Sequence, residues 1–394
     1  MAAAGALAVM AAIGFGRFSY TLLLPPMREG LRLSYTAAGL LASANLAGYL
    51  AGSLAAGRLA RRFGGGAATR GALCLLALSL AWTGAAAGAW DAGAARALAG
   101  AAGAVVYVQA LGLVPAWFPE GARGLASGAM HAGIGAGLVL TGLGLPLLIG
   151  IAPATGWRAG WAALALVAAA VLPLGWRFLK APPALPGTDG GHPPGAGREG
   201  RASDGSDLPS LATYGGLYAL FGISYVIYVT FFAETLRARG LTPSQTGLAW
   251  AALGALSLGS GPLCGSLSDR LGRLQGLAVV FGLQGVAYVA LLHGTGAGLI
   301  FSVALFGITA WGIPAVMAAT MGQVVRPEDT TVALARVTVW MGTGQAAGPV
   351  LAGALTDATG IVSAGLWLSA FAAACGAGFS FRQALAGKQV QPAP

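Results

Sequence analysis

The segment "GFGRFSYT" (14–21) places a permanent charge where a charge is costly. No charged side chain precedes Arg17, and none follows until Arg28. Pro25 lies eight residues on, about 12 Å along a helix, and the other end of the apolar stretch is about as far. An arginine at the centre of a membrane span costs about 2.5–3.5 kcal/mol even on a lenient scale, and it usually faces a cavity or a partner. A guanidinium meets a carboxylate through two parallel bonds, so the chemistry on offer is the holding of an organic anion. Tyr20 adds a hydroxyl close to the same helical face. No Asp or Glu stands near the centre of an apolar segment; Asp91, Glu234 and Asp357 all fall near segment ends. An ion pair within the protein is the alternative role for Arg17. The shortage of acids favours a ligand anion or backbone carbonyls.

The same shortage limits proton chemistry. Proton relays in membranes use Asp, Glu or His, and the candidates are His131 and Glu234. His131 could titrate near neutral pH, although a lone helical histidine also serves as hydrogen-bonded structure. Arg96, the other charge in an apolar segment, could gate the outer end of its helix or reach the nearby interface. Cys74, Cys264 and Cys375 lie in apolar runs without metal-ligand spacing or a secreted disulfide pattern. Neither a paired acidic metal motif nor a nucleophile set beside a base is visible. A phosphate-binding G-x-x-x-x-G-K-[ST] loop is missing. No enzyme activity, metal or cofactor is expected.

These residues need a frame, and composition supplies it. Hydrophobic residues make up 56% of the 394 and charged ones 9%, against roughly 25% charged in soluble domains. Much of the surface must therefore face lipid. The net charge of +10 does not point to nucleic acid, because the basic residues sit in short gaps between apolar runs. A span needs about 20 apolar residues. Twelve candidates follow, at 5–27, 36–58, 69–89, 93–115, 124–148, 157–179, 210–233, 244–267, 274–293, 296–319, 330–353 and 362–381. The N-terminus lacks a basic region before its apolar stretch and reads as a retained first span.

Residues 180–209, rich in Pro, Gly, Ser and charge, read as a flexible linker between an N-terminal half (1–179) and a C-terminal half (210–394). With both termini in the cytoplasm, fifteen Lys and Arg fall inside and five outside, which the positive-inside rule favours. The expected location is a bacterial inner membrane.

The halves align at one offset of 208 residues. Gly14 meets Gly222, Arg17 meets Tyr225, Tyr20 meets Tyr228, and "GRLARRFG" (57–64) lies on "GSLSDRLG" (265–272). Matches in loops at the same offset as matches in helices indicate a true repeat. Two six-helix repeats are a known transporter plan, with the substrate site near the midplane where the halves meet.

"GSLSDRLGR" (265–273) resembles the G-x-L-x-D-R-x-G-R signature of the major facilitator superfamily. "RALAGAAGA" (96–104) and "GQAAGPVLAG" (344–353) resemble two further motifs of that superfamily, and "GRFSYTLLLPPM" (16–27) is similar to its YbfB/YjiJ-type subgroup. The implied fold is an all-α membrane protein of twelve helices in two pseudo-symmetric halves. In the signature, Gly265 would allow close helix approach or a turn, Asp269 would accept bonds from a neighbouring helix N-terminus, and Arg270 and Arg273 would be cytoplasmic charges. The first-half copy departs by carrying Arg61 where the second has Asp269; a swapped ion pair with Glu328 or Asp329 is the expected consequence.

In that superfamily helices 1, 4, 7 and 10 line the cavity. The resemblance therefore adds Tyr107 and Gln109 of helix 4, Tyr225 and Tyr228 of helix 7 and Trp311 of helix 10 to Arg17 and Tyr20 as substrate contacts. The expected function is secondary active transport of a small organic anion by alternating access, by a monomer, with a proton, a counter-anion or no coupling. A carrier for drugs or neutral solutes and a non-transporting scaffold or sensor are the alternatives.

Overall fold

The structure, a computed structural model, describes residues 1–119, 122–178, 211–293, 296–326 and 329–389. The expected linker lies outside them. The described residues are helical throughout, without a strand. The first half contains α1 (Ala2–Gly30), α2 (Tyr35–Phe63), α3 (Gly65–Ala85), α4 (Ala89–Trp117), α5 (Arg123–Ile151) and α6 (Gly156–Phe178). The second contains α7 (Leu211–Ala238), α8 (Pro243–Ser257 with Ser260–Leu271), α9 (Arg273–His293), α10 (Ala297–Val324), α11 (Thr330–Thr359) and α12 (Ala364–Gln389).

Ten helices are long and apolar enough to cross a membrane, and α8, bent by 48° at its break, makes an eleventh. α11 has the length, 30 residues, but carries Arg336, Gln345 and a run of threonines and glycines. The twelve expected spans correspond to ten apolar helices, the bent α8 and one long, more polar helix.

The repeat is written into the helix ends. Ser34 caps α2 by accepting from the Ala37 N–H at 3.1 Å, and Thr242, its counterpart, caps α8 in a capping box with Gln245. Each cap satisfies amides that the first turn leaves without partners. Gly64 and Gly272 are likewise counterparts, and both turn the chain into the next helix with positive φ, 80° and 98°. Only glycine adopts that backbone freely.

α1 and α7 are the most enclosed spans, with 89% and 78% of their apolar windows buried. They form the centre. Around them α2 packs on α4 and α11, α5 packs on the first segment of α8, and α11 packs on α7. The α2–α11 and α5–α8 contacts join the two halves and are equivalent under the 208-residue offset.

Candidate functional site

The site begins with an irregular stretch of α1. Met10–Phe18 winds as π-helix, and the Ser19 N–H reaches back five residues to the Gly14 carbonyl. Such wide turns are rare and occur often at functional positions. Here they accompany carbonyls that accept from side chains. Arg96 donates to the Gly16 carbonyl at 2.8 Å and to the Arg17 carbonyl at 3.5 Å. The Asn45 amide donates to the Arg96 carbonyl at 2.9 Å. Arg96 is 1% exposed, and its guanidinium lies 4.8 Å from the Tyr20 ring centre and 5.1 Å from that of Trp161. Backbone dipoles and ring faces therefore meet this buried charge, while its Nε–H has no hydrogen-bond partner among the described residues. Arg96, expected at a gate or at the nearby interface, is buried and fastens α4 to the backbone beneath Arg17.

Arg17 itself is partly exposed. Its guanidinium donates to the Tyr225 hydroxyl, and it lies 5.6 Å from the ring centre of Tyr49 on α2. The Gln345 amide of α11 donates to the same Tyr225 oxygen at 2.7 Å. That oxygen accepts two N–H groups, so its own proton remains available to a third group. No carboxylate pairs with Arg17 among the described residues. Trp311 closes one wall, with ring centres 5.8 Å from Phe18 and 6.5 Å from Tyr225.

A second polar pair stands nearby. The His131 ring donates through Nδ1 to the Ser127 carbonyl at 2.8 Å, which leaves Nε2 to accept from the Tyr107 hydroxyl at 2.9 Å. Arg17, Tyr225 and Trp311 are thus brought together, and Tyr107 is brought to His131.

Other expected contacts are corrected. Tyr20 is buried and donates to the Ala38 carbonyl at 2.8 Å. Tyr228 is fully buried among Phe232, Tyr288 and Phe306, with its hydroxyl 3.0 Å from Ser302. Gln109 donates to the Ala56 carbonyl at 2.8 Å. All three hold helices of one half together. Sequence reasoning missed Tyr49, Phe18, Gln345 and Tyr218. Tyr218, Phe221 and Tyr225 form a stacked ladder on α7, legible as aromatic spacings of three and four residues. Gln345 was legible as an amide inside a span.

The charged ends also differ from expectation. Glu234 pairs with Arg28 at 2.8 Å and Glu29 with Arg237 at 2.5 Å, two ties between the ends of α1 and α7. Glu234, expected as a coupling candidate, thus stands at the end of α7 in an ion pair with Arg28. Asp269 pairs with Arg273 at 2.5 Å instead of a helix N-terminus. Gly265 faces open space, and Gly272 makes the turn. Arg61 and Arg270 are exposed. No ion pair joins Arg61 to Asp329 among the described residues, and Glu328 lies outside them.

Contacts between the halves concentrate on the face opposite the chain termini. There Thr21 donates to the Val229 carbonyl at 2.8 Å. The Asp357 carboxylate accepts from the Tyr35 and Thr36 amides at 3.0 and 2.8 Å, capping α2 from across the interface. A Cβ at Gly39 would stand 2.1 Å from the Pro349 carbonyl oxygen, and one at Gly247 2.1 Å from that of Gly142. Toward the other face, the second segment of α8 turns away to pack on Gly312–Val324 of α10. The two halves are thus tied together on the Asp357 face.

A family model described as "Uncharacterised MFS-type transporter YbfB" matches residues 9–380. Solved structures agree on the fold. A bacterial homologue of the human lysosomal transporter Spinster, in an inward-facing and occupied conformation, has a TM-score of 0.79 at 17% identity, covering 100% of this chain and 98% of that one. The same transporter in its unoccupied inward-facing form gives 0.72 at 15%, covering 99% and 98%. A D-xylose–proton symporter gives 0.71 at 16%, covering 97% and 96%. With the family match spanning nearly the whole chain and the two-halved helical architecture, the chain belongs to the YbfB-type family of major facilitator superfamily transporters.

Proposed function

We propose that this transporter carries a small organic anion, a carboxylate, across the bacterial inner membrane, with Arg17 as the anion anchor. The observation that carries the reading is a partly exposed guanidinium at the centre of the molecule, unpaired with any carboxylate among the described residues. It is held against a Tyr225 hydroxyl whose proton is unused. A carboxylate entering the cleft gains a charge-assisted pair with Arg17 and a hydroxyl donor beside it. Trp311, Phe18 and Tyr49 supply apolar walls for its organic body.

In this reading both termini are cytoplasmic, the cleft is inward-facing, and the Asp357 face is the outer gate. Alternating access then opens that gate as the cytoplasmic ends close. The protein's own residues bind and release the solute without catalysis.

The test is thermal stability of the purified protein with mono- and dicarboxylates, amino acids, sugars and neutral drugs, using wild type, Arg17→Lys and Arg17→Ala. A ligand that prefers the folded state raises the melting temperature. A carboxylate that stabilises wild type strongly, Arg17→Lys weakly and Arg17→Ala not at all supports the reading. Stabilisation of all three by a neutral compound replaces it with a neutral-solute or drug carrier.

A further inference from the structure

The outer flank of the first half holds a groove of about 590 Å³ that substrate transport leaves unused. It lies between α2 and α3, with α4 as its floor. Ala55, Leu59 and Phe63 form one wall, Gly71 lies on the other, and Ala101 and Val105 form the floor. Its volume is within the usual range for a ligand pocket, and its lining is almost wholly apolar. The groove is separate from the Arg17–Tyr225 pair, neither of which lines it. Tyr107, whose hydroxyl meets His131 of α5, follows Val105 by two residues, about 200° around a helix. Val105 therefore points to the opposite side of α4, toward α2 and α3.

The mouth of the groove near the chain termini is basic. Arg58 and Arg62 lie one turn apart on α2, flanking Leu59 and Phe63, and the Arg62 guanidinium lies 5.3 Å from the Phe63 ring centre. Arg61 and Arg70 add two more charges. Residues 30–90 contain no Asp or Glu. In the structure none of these four arginines has an ion pair or a hydrogen bond to another described side chain. The equivalent turn of the second half is different, because Asp269 neutralises Arg273 there. The first half thus pairs an apolar trough at membrane depth with uncompensated positive charge at the level of lipid headgroups.

We propose that this groove is a binding site for an anionic phospholipid, with one acyl chain along α2, α3 and α4 and the headgroup phosphate on Arg58 and Arg62. The apolar walls fit an acyl chain, and basic pockets between membrane helices attract anionic headgroups. The replacement of the signature acid by Arg61 in this half adds to the local positive field. The site is independent of what the central cleft carries.

The experiment uses delipidated full-length protein in detergent, with phosphatidylglycerol, phosphatidylethanolamine or inorganic phosphate added. Melting temperature and bound lipid by native mass spectrometry are read together. Phosphatidylglycerol is expected to raise the melting temperature by about 5 °C and to remain bound, while phosphatidylethanolamine and phosphate do neither. The double variant Arg58→Gln/Arg62→Gln should lose more than half of that shift. Gly71→Leu should fold and lose the bound lipid, because a Cβ at Gly71 meets nothing within 4 Å and the side chain can occupy the groove. Arg61→Gln, the same charge change about 200° around α2 from Leu59, should retain most of the shift. Equal stabilisation by phosphatidylethanolamine, or by phosphate alone, overturns the proposal. So does an unchanged phosphatidylglycerol shift in both groove variants. A dimer that Gly71→Leu converts to monomer would assign the groove to a second copy of the chain instead.

Discussion

Arg17 donates a hydrogen bond to Tyr225, its own counterpart 208 residues later. Thr21 and Val229, one turn on, repeat the relation. Equivalent positions of a two-fold repeat touch only on the symmetry axis. The central charge therefore sits where the halves pivot, and the asymmetry of the pair, a cation facing a phenol, gives the axis a chemical direction.

Loss of the Tyr225 hydroxyl should weaken anion binding without unfolding the protein. Tyr225→Phe keeps the stacked ring but frees Arg17 and removes one donor. A hydrogen bond to a charged group contributes about 1.5–3 kcal/mol, so affinity for the stabilising carboxylate should fall at least about tenfold. Titration calorimetry measures it, and unchanged affinity would place the anion away from the axis.

The Asp357 cap should set the balance between the two open states. It satisfies the α2 amides from across the interface, a contact that opening of this face would break. Asp357→Ala removes about 1 kcal/mol from the closed gate, a shift of roughly fivefold toward the state open on that face. Labelling of a cysteine placed at buried Leu24 by an impermeant reagent reads the change, and unaltered labelling removes the latch role.

Gly39 and Gly247 should be required for closure and not for folding of either half. An added Cβ at either meets backbone oxygen at 2.1 Å. Gly39→Ala and Gly247→Ala are expected to abolish transport while ligand-induced stabilisation persists. Gly144→Ala, in open space, is the control and should transport normally. Loss of binding together with transport would mean general misfolding.

Arg96→Lys should shorten the reach to the α1 carbonyls while keeping the charge. One ammonium cannot reproduce the fork that meets Gly16 and Arg17. The expected result is a melting temperature lower by several degrees and at least tenfold weaker carboxylate binding, since Arg17 loses its backbone support. A stable variant with normal affinity would show that the π-helical turns hold without it.

His131→Gln tests the Tyr107 pair. It preserves a partner for the Tyr107 hydroxyl but cannot carry a proton. If this pair couples transport to protons, exchange of labelled substrate should continue while accumulation driven by a pH gradient is lost. Accumulation equal to wild type assigns coupling elsewhere.

The sequence alone determined the membrane class, the repeat and the central charge, because each rests on local composition or on a one-dimensional offset. The cap pair Ser34 and Thr242 and the turn pair Gly64 and Gly272 follow directly from that offset. Which tyrosine meets Arg17 was decided only by the tertiary structure. Arg17 and Tyr20 share a face by spacing, yet Arg17 meets Tyr225 while Tyr20 turns into the α2 and α4 contact. Arg96 likewise has its meaning in three dimensions: its partners are carbonyls about eighty residues away, which carry no side-chain signal. The closed face depends on Gly39 meeting Pro349 and Asp357 meeting Tyr35, contacts between halves whose relative tilt is a property of packing rather than of either segment.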